Sequence, residues 1–153
     1  MGNIIDKLVS LVDEFDLAAV FPELDSVIGW AVAIARIFVL AAPLTMLILG
    51  LRYRYLPPKE ANYETGYRFL FGMNSPRAWQ YTQQLAGGIW TLLGGGMLVI
   101  VLILSLFFGG MEPMNMASTA LWCVGLELVL IVISCIMINR NVKKKFDKDG
   151  NPR

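Results

Sequence analysis

Two charged side chains lie inside long apolar stretches of the sequence. Arg36 is the one charge in residues 27–50, and Glu127 is the one charge in residues 117–138. Charges inside a membrane helix are costly, usually face other helices and often pair. At about 1.5 Å per residue, the two positions lie at similar depths when counted from the same side. An ion pair between Arg36 and Glu127 is therefore predicted.

Two other roles stay open for these charges. Both side chains are suited to contact a peptide or an ion inside a helical bundle. Alternatively, Arg36 extends toward the membrane surface and leaves Glu127 as a lone protonatable group. That arrangement would suit a small oligomeric transporter or channel subunit.

The sequence offers no catalytic constellation. It contains no histidine, the commonest general base and metal ligand, and no P-loop, nucleophile elbow, C-x-x-C pair or H-E-x-x-H motif. Cys123 and Cys135 are twelve residues apart on one predicted helix, about 18 Å along its axis, and cannot pair with each other. We therefore expect a protein that is not an enzyme and has no catalytic residue, metal site or cofactor.

Three apolar stretches are long enough to cross a bilayer as helices. They are residues 27–50, 87–108 and 117–138, in a chain of 153 residues that is 56% hydrophobic and 16% charged. A spanning helix needs about 20 apolar residues, and lipid forces each span to satisfy its own backbone hydrogen bonds. The predicted fold is an all-α membrane protein with three transmembrane helices, an N-terminal amphipathic helix and a structured cytoplasmic loop.

The basic residues indicate the orientation. They concentrate in the long loop, residues 51–86, and in the tail, residues 139–153, whereas the turn at 109–116 has none and residues 1–26 have a single lysine among six acids. The positive-inside rule predicts that the loop and tail are cytoplasmic and the N-terminus is outside. A net charge of +1 gives no field to attract nucleic acid.

Small residues form a strip on the second span. Gly87, Thr91 and Gly95 recur at every fourth position, a spacing that allows close approach of another membrane helix. Packing against the other spans of the same chain is the first interpretation. A homo-oligomer face or a docking groove for another helix is the second.

The long loop and tail have local helix signals. Pro57 and Pro58 end any continuation of the first helix, and Ser75 with Pro76 is typical of an N-cap and first helical residue running into the second span. Between them, Arg68 is suited to bind a lipid phosphate or to fix the loop through backbone carbonyls. In the tail, residues 147–151 (DKDGN) resemble the start of a calcium loop, but the glycine comes too early, so a frayed helix end is predicted there.

The loop also resembles the signature of the SdpI-type family, small bacterial membrane proteins associated with immunity to a secreted toxin peptide. The resemblance extends over about residues 40–153, and the basic tail ending in FDKDGNPR resembles the family's usual ending. The loop positions that carry it, with the residues proposed for partner binding or structure first, are Pro57, Pro58, Asn62, Gly66, Tyr67, Arg68, Asn74 and Trp79, then Lys59, Met73, Gln84, Ala86 and Gly87.

The resemblance implies a function as well as a fold. The expected protein lies in the bacterial plasma membrane, in contact with its lipids, and protects the cell from an antimicrobial toxin peptide. The same resemblance implies capture of a cytoplasmic regulator as a further role.

Overall fold

A computed structural model describes residues 24–61 and 64–153. Helix α1 is Leu24–Tyr55, the single turn α2 is Leu70–Met73, α3 is Pro76–Leu106 and α4 is Pro113–Lys145, with a 3₁₀ turn at Phe108–Gly110 between the last two. No strand forms within the described residues, where the one β-bridge joins Phe146 to Pro152. The predicted amphipathic helix at residues 1–26 lies outside the described residues, except for the first three residues of α1.

Three of these helices are long and apolar enough to cross a membrane, as predicted. The candidate spans are Ser26–Tyr55, Pro76–Gly110 and Pro113–Lys145 among the described residues. At about 1.5 Å per residue, helices of 31–33 residues exceed the roughly 30 Å hydrocarbon core, so their ends project beyond it. The expected apolar stretches are therefore the central parts of longer helices.

The start of α3 confirms the local prediction. Ser75 is the N-cap and its hydroxyl accepts a hydrogen bond from the backbone N–H of Ala78 at 3.1 Å, while Pro76 is the first helical residue. The helix then continues without a break from the loop into the second span, because the cap satisfies one of the backbone donors that every helix start leaves unpaired.

Helices α1 and α3 pack backbone against backbone. A Cβ added to Gly94 would lie 2.6 Å from the Leu47 nitrogen, and one added to Gly87 would lie 2.6 Å from the Arg54 nitrogen. At Gly50 of α1, an added Cβ would overlap the backbone nitrogen of Thr91. This contact confirms the first interpretation of the small-residue strip, packing within one chain.

The strip is displaced by one residue from the prediction. A Cβ on Gly95 would make only an ordinary contact, 3.8 Å from Leu47 Cδ1, so Gly94 occupies the crossing in its place. A four-residue step overshoots one helical turn by about 40°, and two such steps move away from the facing helix. The step from Gly87 to Thr91 is four residues and the step from Thr91 to Gly94 is three, so together they stay closer to the line of contact with α1.

Two groups of buried side chains hold the bundle together. The group at the end that carries the loop and tail includes Tyr53, Tyr67, Ile138, Val142 and Phe146. The group at the opposite end is formed by Val39, Val101, Phe108 and Met116. The loop contributes Tyr67 directly to the first group, so the loop is part of the packed structure.

Candidate functional site

Loop residue Tyr67 is held by one side chain of α3. The backbone N–H of Tyr67 donates to Gln83 Oε1 at 2.8 Å, and the Gln83 amide nitrogen donates to the Tyr67 carbonyl oxygen at 2.8 Å. Gln83 is fully buried and Tyr67 is 8% exposed. A buried backbone N–H and C=O each require a partner, and the primary amide supplies both a donor and an acceptor. Gln83 therefore replaces the partner that a neighbouring strand would provide.

The ring of Tyr67 connects the loop to α4. Its hydroxyl lies 2.9 Å from Asn139 Oδ1 and 3.3 Å from the Cys135 carbonyl, so the proton is donated to an acceptor on α4. Its ring meets Trp90 edge-on at a centroid distance of 5.5 Å. Burial raises the pKa of the Tyr67 phenol, which keeps the hydroxyl protonated as a donor.

Gly66 and Trp79 complete the first half of the site. Gly66 has φ of +106°, and a Cβ there would lie 2.8 Å from the Trp79 ring. Trp79 is fully buried and its indole N–H donates to the Pro58 carbonyl oxygen at 2.8 Å. Side chains are strained at this φ and have no room beside the indole, so the position requires glycine.

The tail docks on the turn before α3. Asn74 donates from Nδ2 to the Lys148 carbonyl oxygen at 2.6 Å, and the Ser75 hydroxyl donates to the Gly150 carbonyl oxygen at 2.7 Å. Gly150 has φ of +79°, and a Cβ there would lie 2.8 Å from Ser75. The loop and tail therefore form one folded unit, which we name the loop–tail unit (residues 57–61, 64–83 and 139–153).

The tail turn corrects the expectation of a frayed helix end. The Asp147 carboxylate accepts from the backbone N–H groups of Asn151 at 2.8 Å and Asp149 at 2.9 Å. The bond from Asn151 is the main reason that the pKa of Asp147 lies below its usual value. The carboxylate closes a compact turn, so residues 147–151 are ordered by their own hydrogen bonds. The part of the chain that the structure describes contains no cluster of acidic or cysteine side chains suited to a metal ion.

Lysines of α4 pack on loop and α3 aromatic rings. Lys143 Nζ lies 5.6 Å from the Phe69 ring centroid and 5.3 Å from that of Phe71. Lys145 Nζ lies 4.1 Å from the ring centroid of Tyr81. Cation–π attraction of this kind adds about 0.5–1 kcal/mol at exposed sites.

The structure brings together most, but not all, of the predicted motif residues. Pro58, Gly66, Tyr67 and Trp79 meet around Gln83, and Asn74 binds the tail a short distance away. Pro57 is half-buried in the linker, and Asn62 lies outside the described residues.

Arg68 adopts the second of its two predicted roles. Its Nη2 donates to the Glu64 carbonyl oxygen at 3.3 Å on the exposed side of the loop. This bond fixes the loop through a backbone carbonyl. The guanidinium keeps further N–H donors beyond the one that this bond uses.

Gln83 and Asn139 belong to the candidate site and were missed by the sequence analysis. The motif drew attention to the next residue, Gln84, which the structure leaves exposed. The useful signal is helical spacing, because residues four apart share a face and Gln83 is four residues after the buried Trp79. Asn139 carried no comparable signal, since it lies about 70 residues from its partner in the chain.

The predicted ion pair in the membrane is wrong. Arg36 donates from Nε to the Ser105 carbonyl oxygen at 3.1 Å, near the end of α3. Glu127 is 2% exposed, and neither of its carboxylate oxygens has a hydrogen-bond partner among the residues that the structure describes. Arg36 thus binds a carbonyl oxygen near a helix end, and it does not pair with Glu127.

The register of α3 and α4 explains the separation of these charges. Trp90 donates from its indole N–H to Ser134 Oγ at 3.1 Å, which sets the level at which the two antiparallel helices meet. Glu127 lies seven residues from Ser134, toward the end of the bundle opposite the loop, so it is level with Met97, seven residues after Trp90. Ser105 lies eight residues beyond Met97 on α3. At 1.5 Å per residue, the offset is about 12 Å along the bundle axis.

An apolar cavity of about 450 Å³ lies between the three spans near Glu127. It is lined by Ala41, Ala42, Thr45, Met46, Leu49, Trp90 and Ile131. Glu127 is not one of the lining residues, but Ile131, which is one, lies one helical turn from it on α4. A buried acid one turn from an apolar cavity is an arrangement suited to bind a partner.

Replacing Glu127 by leucine should stabilise the protein. A buried polar group with no partner costs about 1–3 kcal/mol, and leucine removes that cost at similar volume. The free energy of unfolding in detergent micelles should rise by about that amount. Ser134→Ala is the contrasting variant, because it removes the partner of Trp90 and should lower the same quantity. A loss of stability in Glu127→Leu would show that the carboxyl group has a partner in the folded protein.

Comparison with known proteins agrees with this architecture. The family model described as the SdpI/YfhL protein family matches residues 59–138, just over half of the chain. The match includes Gly66, Tyr67, Trp79 and Gln83 of the loop–tail unit, together with α3 and most of α4. No curated protein and no solved structure matches the chain. With three membrane-spanning helices and a match over this region, the chain belongs to the SdpI/YfhL family of multi-pass, immunity-type membrane proteins.

Proposed function

We propose that this protein protects the bacterial plasma membrane from an antimicrobial toxin peptide by binding the peptide, without catalysis. The observation that carries the proposal is the family match, which covers the loop motif from residue 59 onward and two spans in one continuous region. The absence of histidine from the sequence agrees with a binding protein.

The bundle supplies a place where a peptide would bind. Glu127 is buried without a hydrogen-bond partner in the described part of the chain, and the cavity that begins one helical turn away is lined mainly by apolar side chains. A cationic or N–H donor group of the peptide would satisfy the carboxyl group, and apolar side chains of the peptide would fill the cavity. Binding of the peptide would then explain why the chain keeps a buried acid, Glu127, that lowers the stability of the folded protein.

The proposed orientation places the loop–tail unit in the cytoplasm and the other end of the bundle outside. Arg52 and Arg54 lie in the last turn of α1, and Lys143, Lys144 and Lys145 lie in the last turn of α4, at the same end as the loop. Basic residues near span ends remain on the cytoplasmic side. The toxin would then meet the protein from the acidic N-terminal side.

A toxin challenge tests the proposal. Bacteria sensitive to the secreted toxin peptide of an SdpI-type system, expressing this chain, should survive doses that kill cells carrying an empty vector. Glu127→Gln should lower the highest toxin dose that the cells survive by about tenfold. A hydrogen bond to a charged group contributes about 1.5–3 kcal/mol, and 1.4 kcal/mol is a factor of ten. Arg77→Gln, at an exposed position on α3, should protect like the unchanged protein.

Two results would contradict the proposal. One is equal killing of cells with and without the chain, when the chain is shown to be in the membrane. The other is labelling of the Asp149→Cys variant in intact cells by a thiol reagent that cannot cross the membrane. The second result would reverse the orientation.

A further inference from the structure

A small polar crevice opens where the end of α1 meets the loop. Its volume is about 160 Å³, and its walls include Arg52 and Tyr53 from α1 and Thr65, Gly66 and Arg68 from the loop. It is separate from the apolar cavity beside Glu127, although Leu49 contributes to both.

Two arginines line this crevice together with Tyr53. Arg52 comes from the last turn of α1 and Arg68 from the loop. Arg68 is oriented by its bond from Nη2 to the Glu64 carbonyl oxygen, and Arg52 is exposed. Guanidinium groups bind phosphate oxygens through paired N–H donors, so two of them lining one crevice beside a tyrosine favour a tetrahedral oxyanion.

The net charge of the crevice selects among phosphate ligands. Glu64 also lies on its wall, so two arginines and one glutamate give a net charge of +1. A phosphodiester carries a single negative charge and balances this charge, whereas a doubly charged free phosphate exceeds it. A water molecule takes about 30 Å³ of liquid, and by that measure the crevice has room for a phosphate group.

The position of the crevice favours a lipid as the source of the phosphodiester. Tyr53 lies in the last turn of α1 and Leu49 in the turn before it, near the loop end of the candidate span, at the depth where a headgroup adjoins its acyl chains. Basic residues at this level attract anionic lipids of the cytoplasmic leaflet. We propose that the crevice formed by Arg52, Tyr53 and Arg68 binds the phosphodiester of an anionic phospholipid. This inference does not depend on the protective role.

Lipid titration of the full chain in detergent, followed by native mass spectrometry, tests the site. Phosphatidylglycerol should bind roughly tenfold more tightly than phosphatidylcholine, which corresponds to 1.4 kcal/mol. Arg52→Gln and Arg68→Gln should each abolish that preference. Arg54→Gln is the matched control. Arg54 lies two residues after Arg52 in the same last turn of α1, but it lines a different cavity with Tyr55 and Gln84.

A conservative variant keeps the test independent of folding. Tyr53→Phe retains the ring, which packs on Trp90 at a centroid distance of 5.8 Å, and removes only the hydroxyl. It should reduce the preference for phosphatidylglycerol while leaving the thermal unfolding midpoint in lipid-free detergent unchanged.

Three outcomes would overturn the proposal. Equal loss of preference in Arg54→Gln would mean that general surface charge attracts the lipid. Displacement of phosphatidylglycerol by inorganic phosphate, with equal affinity, would assign the crevice to free phosphate. Equal binding of the two lipids by the unchanged protein would show that no selective site exists.

Discussion

Replacing Gln83 by leucine should lower the free energy of unfolding by about 2–6 kcal/mol. The substitution removes both partners of the Tyr67 backbone, and each buried backbone group left unsatisfied costs about 1–3 kcal/mol. Leucine has nearly the same size, so the loss comes from hydrogen bonding and not from an empty space. Unfolding of the purified protein in mixed detergent micelles measures the change.

The neighbouring glutamine is a matched control for this prediction. Gln84 is exposed on the same helix, so Gln84→Leu should change the free energy of unfolding by less than about 0.5 kcal/mol. Gln83→Leu should also expose the loop, because Tyr67 would lose its attachment to α3, and proteolysis at residues 64–69 should become faster. Equal stability of the two variants would contradict the role assigned to Gln83.

Replacing Gly94 by alanine should separate α1 from α3 and destabilise the bundle by about 3 kcal/mol. The new methyl group would lie 2.6 Å from the Leu47 nitrogen, a backbone atom that cannot move away without displacing the helix. Adding volume to a packed contact typically costs about 1–3 kcal/mol, and contact with backbone places this case at the upper end. The same unfolding measurement detects it.

The same helix provides the opposite case. Nothing lies within 4 Å of a Cβ built on Gly96. Gly96→Ala should therefore stabilise the protein slightly, by up to about 1 kcal/mol, because alanine is the better helix former. If Gly94→Ala and Gly96→Ala changed stability alike, the close crossing of α1 and α3 would not exist in the membrane.

The loop–tail unit explains why a polar loop, residues 51–86, lies between two apolar membrane spans. Gln83 and Asn139 each bind Tyr67, from α3 and α4 respectively, while Asn74 and Ser75 hold the tail. The segment thus fastens the loop ends of the spans to one another. In the proposed lipid site, this fixed unit would hold Arg68 in place beside Arg52 of α1.

Sequence reasoning was most successful where the controlling interactions are local. The three spans follow from apolar length, because lipid obliges each helix to satisfy its own backbone. The start of α3 follows from Ser75 and Pro76, which act within one turn of the chain. The family match also confirms the resemblance carried by the closely spaced loop motif.

Tertiary structure decided what depends on helix rotation and depth. Arg36 and Glu127 have similar positions in their own spans, but the Trp90–Ser134 contact sets α4 at a level where Arg36 meets Ser105 and lies far from Glu127 along the bundle axis. The same geometry selects Gly94 over Gly95 and Gln83 over Gln84, since one residue turns a side chain by about 100° around the helix. Sequence by itself determined which segments enter the membrane, because that depends on the composition of each segment alone. Only the folded bundle determined which side chains meet, because that depends on how separate helices are rotated and aligned against one another.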